Sequence, residues 1–122
     1  MINNFLCTNI FSNNSAELID FYQNVLSIPI INVIVDQSDG VNFGFAENTP
    51  TICIWNAQKW GCPASGATSF VFSSDYLDDT FEELKKKGLA IEPPVRFEWG
   101  TYELRLKDPD GNEIVIVETQ KD

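Results

Sequence analysis

Apolar and polar positions alternate with a period of two through most of this chain, and two intervening stretches keep a period near 3.6. In Tyr102–Lys107, Tyr102, Leu104 and Leu106 share one face while Glu103, Arg105 and Lys107 share the other, the pattern of a half-buried strand. Glu113–Thr119 follows, with Ile114 and Ile116 on one side and Val115 and Val117 on the other. A strand apolar on both faces has core on one side and a lined cavity or a partner on the other. Asp108-Pro109-Asp110-Gly111-Asn112 joins the two as a tight turn, Pro109 presetting a negative φ and Gly111 tolerating a positive one.

The same reading over the rest of the chain predicts the remaining elements. Phe5–Phe11 alternates, with Leu6, Thr8 and Ile10 opposite Phe5, Cys7, Asn9 and Phe11. A helix is expected after Asn14, with Asn14 as N-cap and Glu17 completing a capping box. Leu18, Tyr22, Val25 and Leu26 keep its period until Pro29 stops it. Ile30–Gln37, Val41–Glu47 and Thr51–Asn56 read as strands, separated by Ser38-Asp39-Gly40 and Asn48-Thr49-Pro50. Ala57–Ala67, with Trp60, Gly61, Pro63 and Gly66, reads as a loop. The order then repeats: strand Thr68–Ser74, a helix near Leu77–Lys87, and strands near Ile91–Glu98, Tyr102–Lys107 and Glu113–Thr119. Acids at the start of the second helix and lysines at its end suit the helix dipole, and Pro93-Pro94 marks an edge or irregular strand. Phe70, Phe72 and Phe81 are expected in the core.

The predicted fold class is α+β: a single domain over 1–122 made of two tandem βαβββ units, 1–57 and 67–122. Each unit has one helix to cover one face of a four-stranded sheet, so the pair is expected to form a curved, mixed-sheet cup with an open concave side.

Composition narrows the function. The length of 122 residues suits one domain. The charge of −10 argues against a nucleic-acid partner and, if the acids line a cleft, favours a cationic ligand; otherwise they serve solubility. No apolar run approaches a membrane span, and no basic, apolar leader opens the chain, which makes a cytoplasmic location the expectation. Cys7, Cys53 and Cys62 are odd in number, fitting reduced thiols.

Ala16–Leu26 (AELIDFYQNVL), Asp75–Gly88 (DYLDDTFEELKKKG), the pair Trp99-Gly100 ahead of a strand, and DPDGN at Asp108–Asn112 together resemble the vicinal oxygen chelate superfamily. Glyoxalase I, extradiol dioxygenases and the fosfomycin- and bleomycin-resistance proteins belong to it. The resemblance implies a divalent metal held by His, Gln or Glu on the concave faces, at positions that fall here on Cys7, Cys53, Ser69 and Val115. The chain contains no histidine, and two thiols, a hydroxyl and an alkyl group are a poor set for Mg, Mn, Fe or Zn. The implied reading is therefore no metal, no cofactor and no catalytic residue, and a protein similar to the metal-free bleomycin-resistance-like branch. Such a protein would sequester a planar or aromatic compound, such as a bleomycin- or mitomycin-type antibiotic, as a homodimer.

Strand parity assigns the concave lining. Cys7, Asn9 and Phe11 come from the first strand, Thr51, Cys53 and Trp55 from the fourth, and Ser69 and Val71 from the fifth. Glu103 and Arg105 come from the seventh, Val115 and Val117 from the eighth. Phe43 is carried for the third strand, whose parity against Asn42 and Gly44 stays open. Trp99 sits where the drug-binding relatives place a Trp-Gly at the groove mouth. The ligand-contact set is thus Cys7, Asn9, Phe43, Cys53, Trp55, Ser69, Trp99, Glu103, Arg105 and Val115. Cys7 and Cys53 read as small hydrophobes, with a soft thiolate site as the sharper alternative. Two rivals remain: a metal-dependent lyase, isomerase or dioxygenase built on Glu103, Glu118 and a thiol, and a degenerate repeat kept as an interaction module.

Overall fold

A computed structural model describes residues 1, 3, 5–46 and 49–119. Two compact units, Met1–Gly66 and Ala67–Asp122, each carry one four-stranded mixed sheet with its own helices, an α+β architecture. Unit 1 runs β1 (Cys7–Ser12), α1 (Ser15–Asp20) continued by a π turn (Phe21–Val25), β2 (Ile30–Val33), β3 (Gly40–Phe43), β4 (Thr51–Asn56) and α2 (Ala57–Trp60). Its strand order is β1-β4-β3-β2, with β1 parallel to β4 and the other pairs antiparallel.

The helix side of this sheet is the core. Ile10, Val41, Phe43 and Ile54 are buried, as are Leu18, Ile19 and Tyr22 of the helix, and the Tyr22 and Phe43 rings lie 6.1 Å apart. Asn14 does not cap α1 through its side chain, contrary to the capping-box expectation. Its amide instead donates to Ser12 Oγ at 2.9 Å, which turns the chain into the helix. The expected 3.6 period also breaks. Leu26 N bonds back to Phe21 O at 3.0 Å, five residues away, and this wider turn lets Phe21 and Tyr22 both reach the core. Ser27 then takes a positive φ of 58°, and Ile28, not Val25 or Leu26, is fully buried.

Two strands of unit 1 stop early. Pairing of β2 slips between Ile30 and Asn32, and the amides of Ile34 and Val35 both turn onto Gly40 O, at 2.9 and 3.1 Å. Asp36 Oδ1 fixes the turn by accepting from Ser38 N and Asp39 N at 2.8 and 2.9 Å. β3 ends at Phe43, and Glu47 and Asn48, at the expected strand end and following turn, lie outside the described residues.

Unit 2 runs β5 (Ser69–Ser74), α3 (Leu77–Lys86), β6 (Val95–Arg96), β7 (Tyr102–Lys107) and β8 (Glu113–Glu118), in the order β5-β8-β7-β6. Leu77 and Leu84 of α3 are buried, as are Leu104, Leu106, Ile114 and Ile116 of the sheet. Phe70, Phe72 and Phe81 are only half-buried. β6 is two residues long because Pro93 and Pro94 have no amide hydrogen to offer a ladder.

The Asp108–Asn112 turn is a buried hydrogen-bond knot. Asp108 Oδ1 accepts from Asp110 N (3.0 Å) and Asn112 N (2.8 Å), and Asp108 Oδ2 accepts from Asn112 Nδ2 (2.8 Å). Asn112 Oδ1 in turn accepts from Thr68 N at 2.9 Å, tying the hairpin to the start of β5. Asn112→Ala removes the acceptor of the Thr68 amide and the Nδ2 donor to Asp108 Oδ2. Urea unfolding followed by circular dichroism should show a loss of about 1–3 kcal/mol.

Candidate functional site

The register of β1, β4 and β3 determines what the sheet face away from α1 presents. Cys7 pairs with Thr51, Asn9 with Cys53 and Phe11 with Trp55, while Asn42 and Gly40 lie across from Cys53 and Trp55. Along this face runs an open groove of about 590 Å³, lined by Asn9, Phe11, Ile34, Val35, Trp55, Trp60 and Cys62. Trp55 Nε1 donates to Asn9 Oδ1 at 3.0 Å, so the indole is held by its polar edge. Trp60 stands edge-on to Trp55, with ring centroids 6.1 Å apart and planes at 90°.

Two local devices place those rings. A Cβ added at Gly40 would lie 2.9 Å from Val35 Cγ2 and 3.1 Å from the Trp55 ring, so only glycine fits between them. The second device is α2, a single turn within the stretch that sequence reads as loop. Asn56 caps it by accepting from Gln58 N (3.0 Å) and Lys59 N (3.2 Å), and Gly61 closes it at φ 66°. Asp39 anchors it from the β2–β3 turn, accepting from Asn56 Nδ2 at 2.9 Å and pairing with Lys59 Nζ at 3.0 Å. Beyond α2, Ser65 and Phe11 exchange hydrogen bonds, Ser65 N to Phe11 O and Phe11 N to Ser65 Oγ.

Cys53 lies beside the groove, 6% exposed, its thiol donating to Asn42 Oδ1 at 3.3 Å. Burial, and then the adjacent Cys7 side chain, push its pKa up to about 11, so it is a neutral thiol at physiological pH. Cys7 is half-buried and directs its thiol at Asn9 Oδ1 (3.9 Å).

On the corresponding face of unit 2, Ser69, Val71, Arg105, Val115, Glu103 and Val117 share one side of the sheet. Glu103, 8% exposed, accepts from Thr101 Oγ1, from Arg105 Nη2 at 2.9 Å and from Trp99 Nε1 at 3.4 Å. The Thr101 hydroxyl first, then Arg105 and Trp99, hold its pKa below the ordinary glutamate value against the opposing effect of burial. A carboxylate kept ionised and engaged through both oxygens is a poor general base. Arg105 reaches on to Glu113 Oε2 at 3.7 Å, and Glu113 Oε1 accepts from Ser69 Oγ at 2.9 Å. Trp99 is 63% exposed and stacks on Phe97 at 4.5 Å with planes 9° apart.

Two expectations need correcting. Phe43 is not on the groove face; it is 1% exposed and packs on Tyr22, because β3 presents Asn42 beside Cys53 and turns Phe43 to the helix. Glu118, offered as a possible base or metal ligand, lies on the opposite face from Glu103, where its Oε2 accepts from Leu77 N at 2.9 Å and caps α3. Ile34, Val35, Trp60 and Cys62 were not anticipated in the groove. The helix signal around Trp60 was nonetheless in the sequence, as an N-capping Asn56 and a terminating Gly61 around four residues.

The donor set does not fit a divalent metal of the usual kind. Cys53 is protonated, Ser69 is bonded to Glu113, and Val115 offers no donor. Among the described residues no three His, Cys, Asp or Glu side chains gather to hold an ion.

A family model described as Glyoxalase/Bleomycin resistance protein/Dioxygenase superfamily matches residues 4–116. No curated protein matches significantly. Among solved structures, TnmS3, an antibiotic binding protein from Streptomyces sp. CB03234, shares the fold at TM-score 0.77 and 16% identity, covering 98% of each chain. Lactoylglutathione lyase from Agrobacterium tumefaciens aligns at TM-score 0.72 and 18% identity, over 97% of this chain and 95% of its own. A virulence protein from Salmonella typhimurium aligns at TM-score 0.73 and 22% identity, over 98% and 99%.

The thiols should differ in reactivity. With its pKa near 11, Cys53 holds roughly a hundredfold less thiolate at neutral pH than a thiol at the ordinary 9.0. Timed alkylation with iodoacetamide and peptide mass mapping should label Cys7 and Cys62 well before Cys53. Equal rates would contradict the assignment.

Proposed function

This chain belongs to the glyoxalase/bleomycin resistance protein/dioxygenase superfamily, and on that premise we propose that it captures a planar, largely apolar small molecule without a catalytic metal. The carrying observation is the unit 1 groove: Phe11, Trp55 and Trp60 supply aromatic walls, Ile34 and Val35 an aliphatic one, and Asn9 a polar group. Such a site holds a flat ligand by stacking and burial, with a hydrogen bond for orientation. None of its lining residues is charged, so acid–base chemistry has no agent there.

The fold likeness to an antibiotic-binding protein supports an antibiotic as ligand, and we carry a bleomycin- or mitomycin-type compound as the candidate, the family's description including bleomycin resistance. The chain's charge of −10 favours a cationic one. A metal-dependent lyase, isomerase or dioxygenase is the weaker reading, because Glu103 and Glu118 face opposite sides of their sheet. We also take Trp99, exposed and stacked on Phe97, as a ligand contact, and the working state as a cytoplasmic homodimer. Val71 and Val95 stand 68% and 52% exposed on one sheet face, where a second copy would cover them.

Titration with mitomycin-like, bleomycin-like and planar aromatic compounds should quench tryptophan emission to saturation. Trp55→Ala and Trp60→Ala should each weaken binding about tenfold, the loss of roughly one stacking contact. Trp99→Ala tests unit 2 by itself: weaker binding supports Trp99 as a ligand contact, and unchanged affinity refutes that role. A flat response across all three compound classes would refute capture of this ligand class. Light scattering should give twice the chain mass; a monomer mass would refute the dimer.

A further inference from the structure

The polar side chains that line the unit 1 groove are committed in a way that leaves only donors over. Trp55 Nε1 donates to Asn9 Oδ1 at 3.0 Å. An indole N–H can only donate, so the atom it meets must be the carboxamide oxygen, and the amide is locked in one orientation. The Cys7 thiol is directed at the same oxygen, at 3.9 Å. Nδ2 is therefore the end of Asn9 left to a ligand, and among the described residues it has no protein acceptor. The same holds for Trp60 Nε1, while Cys62 commits its S–H to the Trp60 carbonyl at 3.7 Å. On the footing that the groove captures a planar molecule, as proposed above, we propose that Asn9 is its specificity-determining residue. It donates through Nδ2 to an acceptor oxygen on the ligand's rim, so that the groove selects planar aromatic carbonyl compounds.

Register places this donor beside the stacking surface. Asn9 and Phe11 share one face of β1, and Phe11 is the strand partner of Trp55. The carboxamide bonds the polar edge of the indole, so a ring stacked on Trp55 has its own rim next to Asn9. Phe11 offers no competing backbone group, because its N–H and carbonyl are both taken by Ser65, at 2.9 and 2.8 Å. Asn9 is exposed, so water serves Nδ2 until a ligand covers it. A carbonyl on the ligand restores the lost bond. A C–H rim leaves the amide donor covered and unpaired, and an N–H rim sets donor against donor. One neutral hydrogen bond is weak in net terms, whereas an unpaired buried donor is costly, so selection comes mainly from rejecting rims that cannot accept. No charged side chain lines the groove, which leaves hydrogen-bond polarity, not charge, to discriminate there.

Fluorene, fluorenone and carbazole share one planar tricyclic frame and differ only in carrying a methylene, a carbonyl or an N–H at the same place. Equilibrium dialysis against the full chain, read by ligand absorbance, should place fluorenone about three- to tenfold ahead of fluorene, the weight of one net hydrogen bond, with carbazole last. Asn9→Asp keeps an acceptor for Trp55 Nε1 and replaces the Nδ2 donor by a carboxylate oxygen. In that variant the order should invert, carbazole binding ahead of fluorenone. Ratios taken within one variant cancel any general effect of the added charge. Equal binding of all three compounds by the wild-type chain, or a fluorenone preference that survives Asn9→Asp, would overturn the role of Asn9 and leave the groove standing. If none of the three binds, the groove does not capture flat aromatics and Asn9 selects nothing. Asn9 is exposed, so the variant is expected to fold, and the wild-type ranking can refute the selection without it.

Discussion

The contact on which the unit 1 site depends is the Trp55 indole packed against Gly40 on the neighbouring strand. The two residues are cross-strand partners, and the space between Val35, Gly40 and Trp55 has no room for a Cβ. Because the ring is seated there and its Nε1 is tied to Asn9, its remaining surface faces the groove. Trp60 is placed against it by α2, which Asp39 holds from the adjacent turn through Asn56 and Lys59. A rigid aromatic corner of this kind offers stacking area with little conformational entropy left to lose on binding.

Electrostatics separates the two units. The groove of unit 1 has no charged lining, although the chain carries ten net negative charges. Unit 2 concentrates charge on the equivalent sheet face: Ser69, Glu113, Arg105, Glu103 and Trp99 form one connected set of hydrogen bonds and ion pairs. Arg105 is half-exposed and Glu103 nearly buried, so the pair serves chiefly to satisfy the glutamate, and its net stabilising contribution is modest. A face whose charges satisfy one another in this way is suited to positioning Trp99 more than to proton transfer.

Much of the fold was legible because alternation is a local signal. Thr51–Asn56 and Tyr102–Lys107 have the bounds that periodicity assigns, and α3 differs by one residue. The misreadings occurred where a distant partner overrode local preference. Ile34 and Val35 continue the apolar run of β2 in sequence, yet both amides turn onto Gly40 O and end the strand at Val33. Asn14 has the composition of a cap, yet Ser12 and the incoming strand determine how the chain enters α1. Parity placed Asn9, Cys53 and Trp55 on one face and failed for Phe43, since apolar and polar residues alternate in β3 without indicating which side carries the helix.

From its residues alone the chain determined two tandem α+β units, the turn at Asp108–Asn112 and the absence of any histidine, because strand period, turn chemistry and residue type are properties of short segments. Tertiary structure decided that Ile34, Val35, Trp60 and Cys62 join Asn9, Phe11 and Trp55 around one groove, and that Cys7 and Cys53 stand diagonal on a single face. Those outcomes depend on the register between strands more than forty residues apart in sequence and on a one-turn helix held by Asp39, which no local pattern encodes.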